Sequence, residues 1–78
     1  MKFMEPYKNL SGDSGVAKYK IFSDAIAIQF EDHGVYLYDY SKPGSEHVER
    51  MKALAAAGKG LCTYINRFVG KNFAARLR

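Results

Sequence analysis

The segment Gly34-Val35-Tyr36-Leu37-Tyr38-Asp39-Tyr40 sets three tyrosines at every second residue. A β-strand turns successive side chains to opposite faces, so at this spacing all three phenols share one face of a strand. That face is either the inside of a small sheet or an aromatic platform for a ligand. No catalytic motif competes with it.

The rest of the chain supplies partners for that strand. Val16 to Phe22 alternates, with Lys18 and Lys20 on one side and Ala17, Tyr19 and Ile21 on the other, and Ser23-Asp24 is a tight turn. Ala25 to Phe30 reads as a second strand with Ile26, Ile28 and Phe30 on its apolar face. The polar Glu31-Asp32-His33-Gly34 is a hairpin loop into the third strand, Val35 to Tyr40. Ser41-Lys42-Pro43-Gly44 ends the meander, because proline cannot donate to a ladder.

Two helices follow. Ser45 is positioned to cap the first, over Glu46 to Ala57, where Val48, Met51, Leu54 and Ala55 fall at three- and four-residue spacing. Gly58-Lys59-Gly60 stops it in the manner of a left-handed cap. The second runs from Leu61 to about Val69 with Leu61, Tyr64, Ile65 and Phe68 on one stripe, and Gly70 breaks it. The expected architecture is α+β: a three-stranded antiparallel meander packed on one face by two C-terminal helices. Residues 1–13 are a lead-in, docked by Phe3 or Tyr7, 14–70 the domain, and 71–78 a basic tail able to add a helical turn.

Two helices cover one face of such a sheet and leave the other wet. With Val35 and Leu37 inward, the wet face carries Lys18 and Lys20, small Ala25 and Ala27, and the tyrosines. That resembles a base-stacking surface, where each stacked base is worth about 1–3 kcal/mol and lysines neutralise phosphate. With the tyrosines inward, they are core residues whose hydroxyls bond at the edge. Aromatic residues in a small domain are usually structural, which favours the core for at least one of them.

Size bounds the function. A chain of 78 residues buries only about 60% of its unfolded surface, enough for one layer of helices on a sheet but not for an enclosed substrate chamber. A non-enzymatic role without cofactor is therefore expected. The single cysteine, Cys62, excludes an internal disulfide framework and a Cys-rich zinc site, and reads as an inert helix residue in a reducing cytoplasm. His33 and His47 lack partners at ligand spacing, so no metal is expected and both histidines read as solvated. No stretch approaches the roughly 18 apolar residues of a membrane span, and the start has no signal-peptide run.

Charge is divided along the chain. Residues 1–50 hold six cations and all eight acids, a net of −2, whereas residues 51–78 hold six cations and no acid, a net of +6. A basic helical half favours a polyanion such as RNA, tRNA-like or single-stranded, while an ordinary solvated surface accounts for a modest net charge equally well. Lys59, Arg67 and Lys71 are the candidate phosphate contacts, with Lys59 in a glycine link whose amides are able to face a phosphate. Together with Tyr36, Tyr38, Lys18 and Lys20 they form the candidate nucleic-acid-binding set. The alternative is a module that pairs with a protein, or with itself, through the open sheet face or an edge strand.

The hydrophobic Ile26-x-Ile28-x-Phe30 strand, Gly34-x-Tyr36-x-Tyr38, Pro43, the Ala57-Gly58-Lys59-Gly60 link and Ile65 occur in an order that resembles the KTSC domain, named for the C-terminus of some lysyl-tRNA synthetases. The resemblance covers roughly residues 14–68. It implies a free-standing small bacterial or phage domain, for whose family RNA binding is the usual suggestion, and it implies no aminoacylation. The chain departs from the pattern in a longer polar hairpin and in Ala or Gly where the link often has serine.

Overall fold

The computed structural model describes residues 4–10, 12, 15–31 and 34–78. Five antiparallel strands lie in sequential order: β1 (Glu5–Pro6), β2 (Val16–Phe22), β3 (Ala25–Phe30), β4 (Gly34–Asp39) and β5 (Ala75–Arg76). Between β4 and β5 run α1 (Ser45–Ala57) and α2 (Leu61–Tyr64), the latter continuing into a π-helical turn over Ile65–Val69. The α+β class and the antiparallel meander agree with the sequence; the strand count does not. β1 and β5 are two residues long, too short to leave a period in the sequence. Pro6 is admissible in β1 because an edge strand has one side that needs no donor. The tail makes no helical turn. Ala74 N–H donates to Leu37 O at 2.8 Å and Leu77 N–H to Val35 O at 2.7 Å, laying the chain end along β4.

Register decides the faces. Ile21, Ile26 and Tyr38 lie abreast across β2, β3 and β4, as do Tyr19, Ile28 and Tyr36. These rows face the helices, where Ile26, Ile28 and Tyr38 join Val48, Met51, Leu61 and Ile65 in one buried cluster. The tyrosines are thus on the face the helices cover, and Val35 and Leu37 are on the face they leave open, although Ala25, Ala27 and Val35 are buried there rather than wet. Lys18 and Lys20 stand abreast of Gln29 and Ala27 on that open face, away from the tyrosines. Ile21, at the margin of the covered face, stays 42% exposed.

The helices follow their apolar spacing with two corrections. Ser45 does not cap α1. Gly44 precedes the helix and no side chain caps it, while Gly44 O accepts from Val48 N–H at 3.0 Å. In the π turn, Gly70 N–H reaches back five residues to Ile65 O, so each turn holds an extra residue. That widening brings Val69 inward under Ile65 and swings Phe68 out to 59% exposure, against the stripe expected from an α-helix.

The lead-in is tied down by Tyr7. Its backbone N–H donates to Ala17 O at 3.0 Å, and its buried hydroxyl accepts from Leu61 N–H at 3.2 Å, satisfying a free donor at the start of α2. Leu10 N–H adds a 2.7 Å bond to Gly58 O. Gly58 closes α1 with φ 81°, and a Cβ there would lie 2.6 Å from Lys8 Cβ, so both the left-handed backbone and the close strap require glycine. Phe3 lies outside the described residues. Among the described residues no helix is long and apolar enough to cross a membrane.

Candidate functional site

An open cleft of about 690 Å³ separates the covered face of β4 from the π turn and the segment after it. Phe30, Tyr36 and Tyr38 line its sheet side, and Cys62, Ile65 and Asn66 its helix side. Gly70 and Lys71 stand where the chain leaves the helix. Gly70, at φ 58° and ψ −128°, ends the π turn, and the chain beyond it brings Phe73 back against β4. The Phe73 ring meets Tyr36 at 4.6 Å between centroids and 61°, and Tyr38 at 6.4 Å and 85°. Phe30 meets Tyr36 at 5.8 Å and 70°. Such edge-to-face contacts hold the rings in fixed orientation.

The site's cations come from the tail. Lys71 lines the cleft, and Arg76, abreast of Tyr36 in the β4–β5 pair, holds its guanidinium 5.5 Å from the centre of the Tyr36 ring. Arg76 Nε–H also donates to Arg78 O at 3.1 Å, which fixes the side chain across the end of the chain. Among the described residues no acid lines the cleft.

Tyr38 is the deepest polar group. The residue is 2% exposed, its hydroxyl has no hydrogen-bond partner among the described residues, and its phenol is pushed up to about 12, first by burial and then by the neighbouring Tyr36 phenol. It is therefore neutral at any ordinary pH, able to donate and to accept. Cys62 is half-buried with Asn66 Nδ2–H directed at its Sγ from 3.7 Å, and it borders the cleft as well as belonging to the helix.

Of the residues singled out from sequence, Tyr36, Tyr38 and Lys71 come together in this cleft. Lys18 and Lys20 do not, since they occupy the opposite sheet face, where Lys20 Nζ sits 5.7 Å from the Phe22 ring. Lys59 is exposed in the interhelical link and Arg67 is exposed over Phe68 at 5.8 Å; neither lines the cleft. The link amides are partly spent, because Gly58 N–H bonds the end of α1 and Leu61 N–H bonds Tyr7. Tyr40 leaves the row of three. It is exposed, and its hydroxyl donates to Glu49 Oε2, which also takes Lys52 Nζ at 2.9 Å. That bond lowers the Glu49 pKa and raises that of Tyr40. His47 is not solvated but half-buried, 2.7 Å from Tyr64 Oη; His33 lies outside the described residues. Among the described residues no three His, Cys, Asp or Glu side chains gather as a metal set.

Sequence reasoning missed Phe73 and Asn66 as cleft residues, while Arg76, a basic residue of the tail already open to a phosphate contact, stands beside the cleft rather than in its lining. The available signal was an aromatic residue, Phe73, isolated in a basic tail just after a helix-breaking glycine. No protein-family model, no curated protein and no solved structure matches the chain, so the resemblance to the KTSC domain draws no support from these comparisons.

Proposed function

We propose that the domain is a non-enzymatic module that binds single-stranded nucleic acid, RNA first, by taking a base into the aromatic cleft. The observation that carries this reading is the combination of the Phe30–Tyr36–Phe73 wall with Lys71 and Arg76 beside it and no acid among the described lining residues. A base has a flat apolar face that aromatic side chains cover at little cost in specificity, and its flanking phosphates require cations within reach. The cleft supplies both from one short stretch of chain. Its location replaces the open-face platform: stacking on Tyr36 and Tyr38 from the wet side of the sheet is ruled out by their register.

Anisotropy titration of a labelled single-stranded RNA at several salt concentrations tests the proposal. Replacing Lys71 and Arg76 together by alanine weakens binding and flattens its salt dependence by about one to two counterions, whereas Lys18→Ala with Lys20→Ala changes neither. An unaltered affinity in the folded Lys71/Arg76 variant would reject the assignment. The second reading, a protein-binding module, draws on the sheet face that the helices leave open, where Phe22 and Leu37 stand half-buried beside Lys18 and Lys20. Capture of a protein by that face after nuclease treatment, with no RNA affinity, would favour it.

A further inference from the structure

The Tyr38 hydroxyl is a polar group that the fold itself does not use. Its ring packs in the core with Ile26, Val48 and Met51, yet among the described residues its oxygen has no hydrogen-bond partner. Among the described residues, no side-chain oxygen sealed from solvent lacks a partner. The Tyr38 oxygen is therefore the part of this residue that stays open, and the space it borders is the cleft. For packing alone a phenylalanine would serve, without the cost of drawing a hydroxyl away from bulk water.

An unmet hydroxyl at the base of an apolar site discriminates among ligands. A ring with a hydrocarbon edge leaves it unpaired in a dry contact, whereas a ring with a nitrogen or carbonyl edge pairs with it, and a site built to hydrogen-bond rejects an analogue that lacks the matching group. Resting on the nucleic-acid reading above, we propose that Tyr38 is the specificity-determining residue of the cleft: its hydroxyl hydrogen-bonds the polar edge of the inserted base. The site then accepts nucleobases and rejects groups of the same outline without polar edge atoms. Phe30 and Phe73 supply apolar contact and do not choose between the two.

The test uses the intact chain and two pairs of short single strands. One pair compares oligothymidylate with the same strand carrying difluorotoluene in place of thymine; the other compares oligoadenylate with a strand carrying methylbenzimidazole. Each replacement keeps the shape of the base and removes its hydrogen-bonding edge. The wild-type chain is expected to bind at least one natural strand about tenfold more tightly than its isostere. Tyr38→Phe is expected to unfold at the wild-type temperature and to bind both members of that pair alike. Equal wild-type affinity for both members of both pairs would overturn the proposal while leaving nucleic-acid binding in place, as would discrimination that survives in Tyr38→Phe. No binding of any strand at low salt would overturn the nucleic-acid reading and this inference with it. The isostere comparison needs only the wild-type chain, so it decides the matter even if the variant does not fold.

Discussion

Tyr7 and Tyr38 are both buried, at 6% and 2% exposure, and both belong to the same core cluster, but they use their hydroxyls differently. The Tyr7 oxygen closes the start of α2 by accepting from Leu61 N–H, so the whole side chain belongs to the fold. The Tyr38 ring belongs to the fold, and its oxygen belongs to the cleft. Tyr7, beside the interhelical link, is thus structural throughout, whereas the tyrosines of β4 form the boundary between core and site. Burial alone does not separate the two roles; the bonding of the oxygen does.

The largest effect is common to both residues. Tyr7→Ala and Tyr38→Ala each remove a buried ring and should cost about 3–5 kcal/mol, enough to unfold much of a domain this small, as read by urea denaturation. A large difference between them would mean that one ring is not core.

Alkali separates Tyr38 from an ordinary phenol. Its folded pKa, about 12, lies above the unfolded value of 10.0, so the fold holds the proton more tightly than the unfolded chain does. The associated stability is complete below pH 10 and declines as pH rises from there toward about 12. In Tyr38→Phe that decline should shrink, measured as the denaturation midpoint against pH. A decline of the same size in both proteins would contradict the burial of the Tyr38 phenol.

Removing only the oxygens gives a smaller and more pointed contrast. Tyr7→Phe leaves Leu61 N–H without a partner and should cost about 1 kcal/mol, while Tyr38→Phe should leave stability within a few tenths of the wild type, about 0.3 kcal/mol. Smallest is Tyr40→Phe. Its hydroxyl donates to Glu49 at the exposed surface, where solvent screens the contact, and the midpoint of thermal denaturation is expected to stay close to that of the wild type.

The fold was legible where the sequence repeats itself. Alternation exposed β2, β3 and β4, and the spacing of Val48, Met51 and Ala55 exposed α1, because each extends over several periods. β1 and β5 were hidden because two residues carry no period, and both are held by pairing to a longer neighbour rather than by their own propensity. The π turn was hidden for a different reason. Leu61, Tyr64, Ile65 and Phe68 fit an α-helical stripe, and only the tertiary requirement to bury Val69 selects the wider turn.

The site was half legible. Tyr-x-Tyr marked β4 as the element to watch, but alternation cannot say which face is dry when Val35 and Leu37 are as apolar as their neighbours are aromatic. The register with Ile26 and Ile28 settles that, and register is a pairing property invisible in one strand. Arg76 reaches Tyr36 only through the β4–β5 pairing, so its place beside the cleft follows from the same unseen strand.

A ligand held in the cleft between β4 and the π turn must disturb the residues that line it. The most direct measurement is a backbone-amide NMR titration of the labelled domain with a single-stranded RNA at low and physiological salt. Shifts are expected on Phe30, Tyr36, Tyr38 and residues 65–76, persisting at physiological salt, with Lys18, Lys20 and their neighbours on the open face unmoved. Shifts confined to that open face, or none at all, would contradict binding in the cleft.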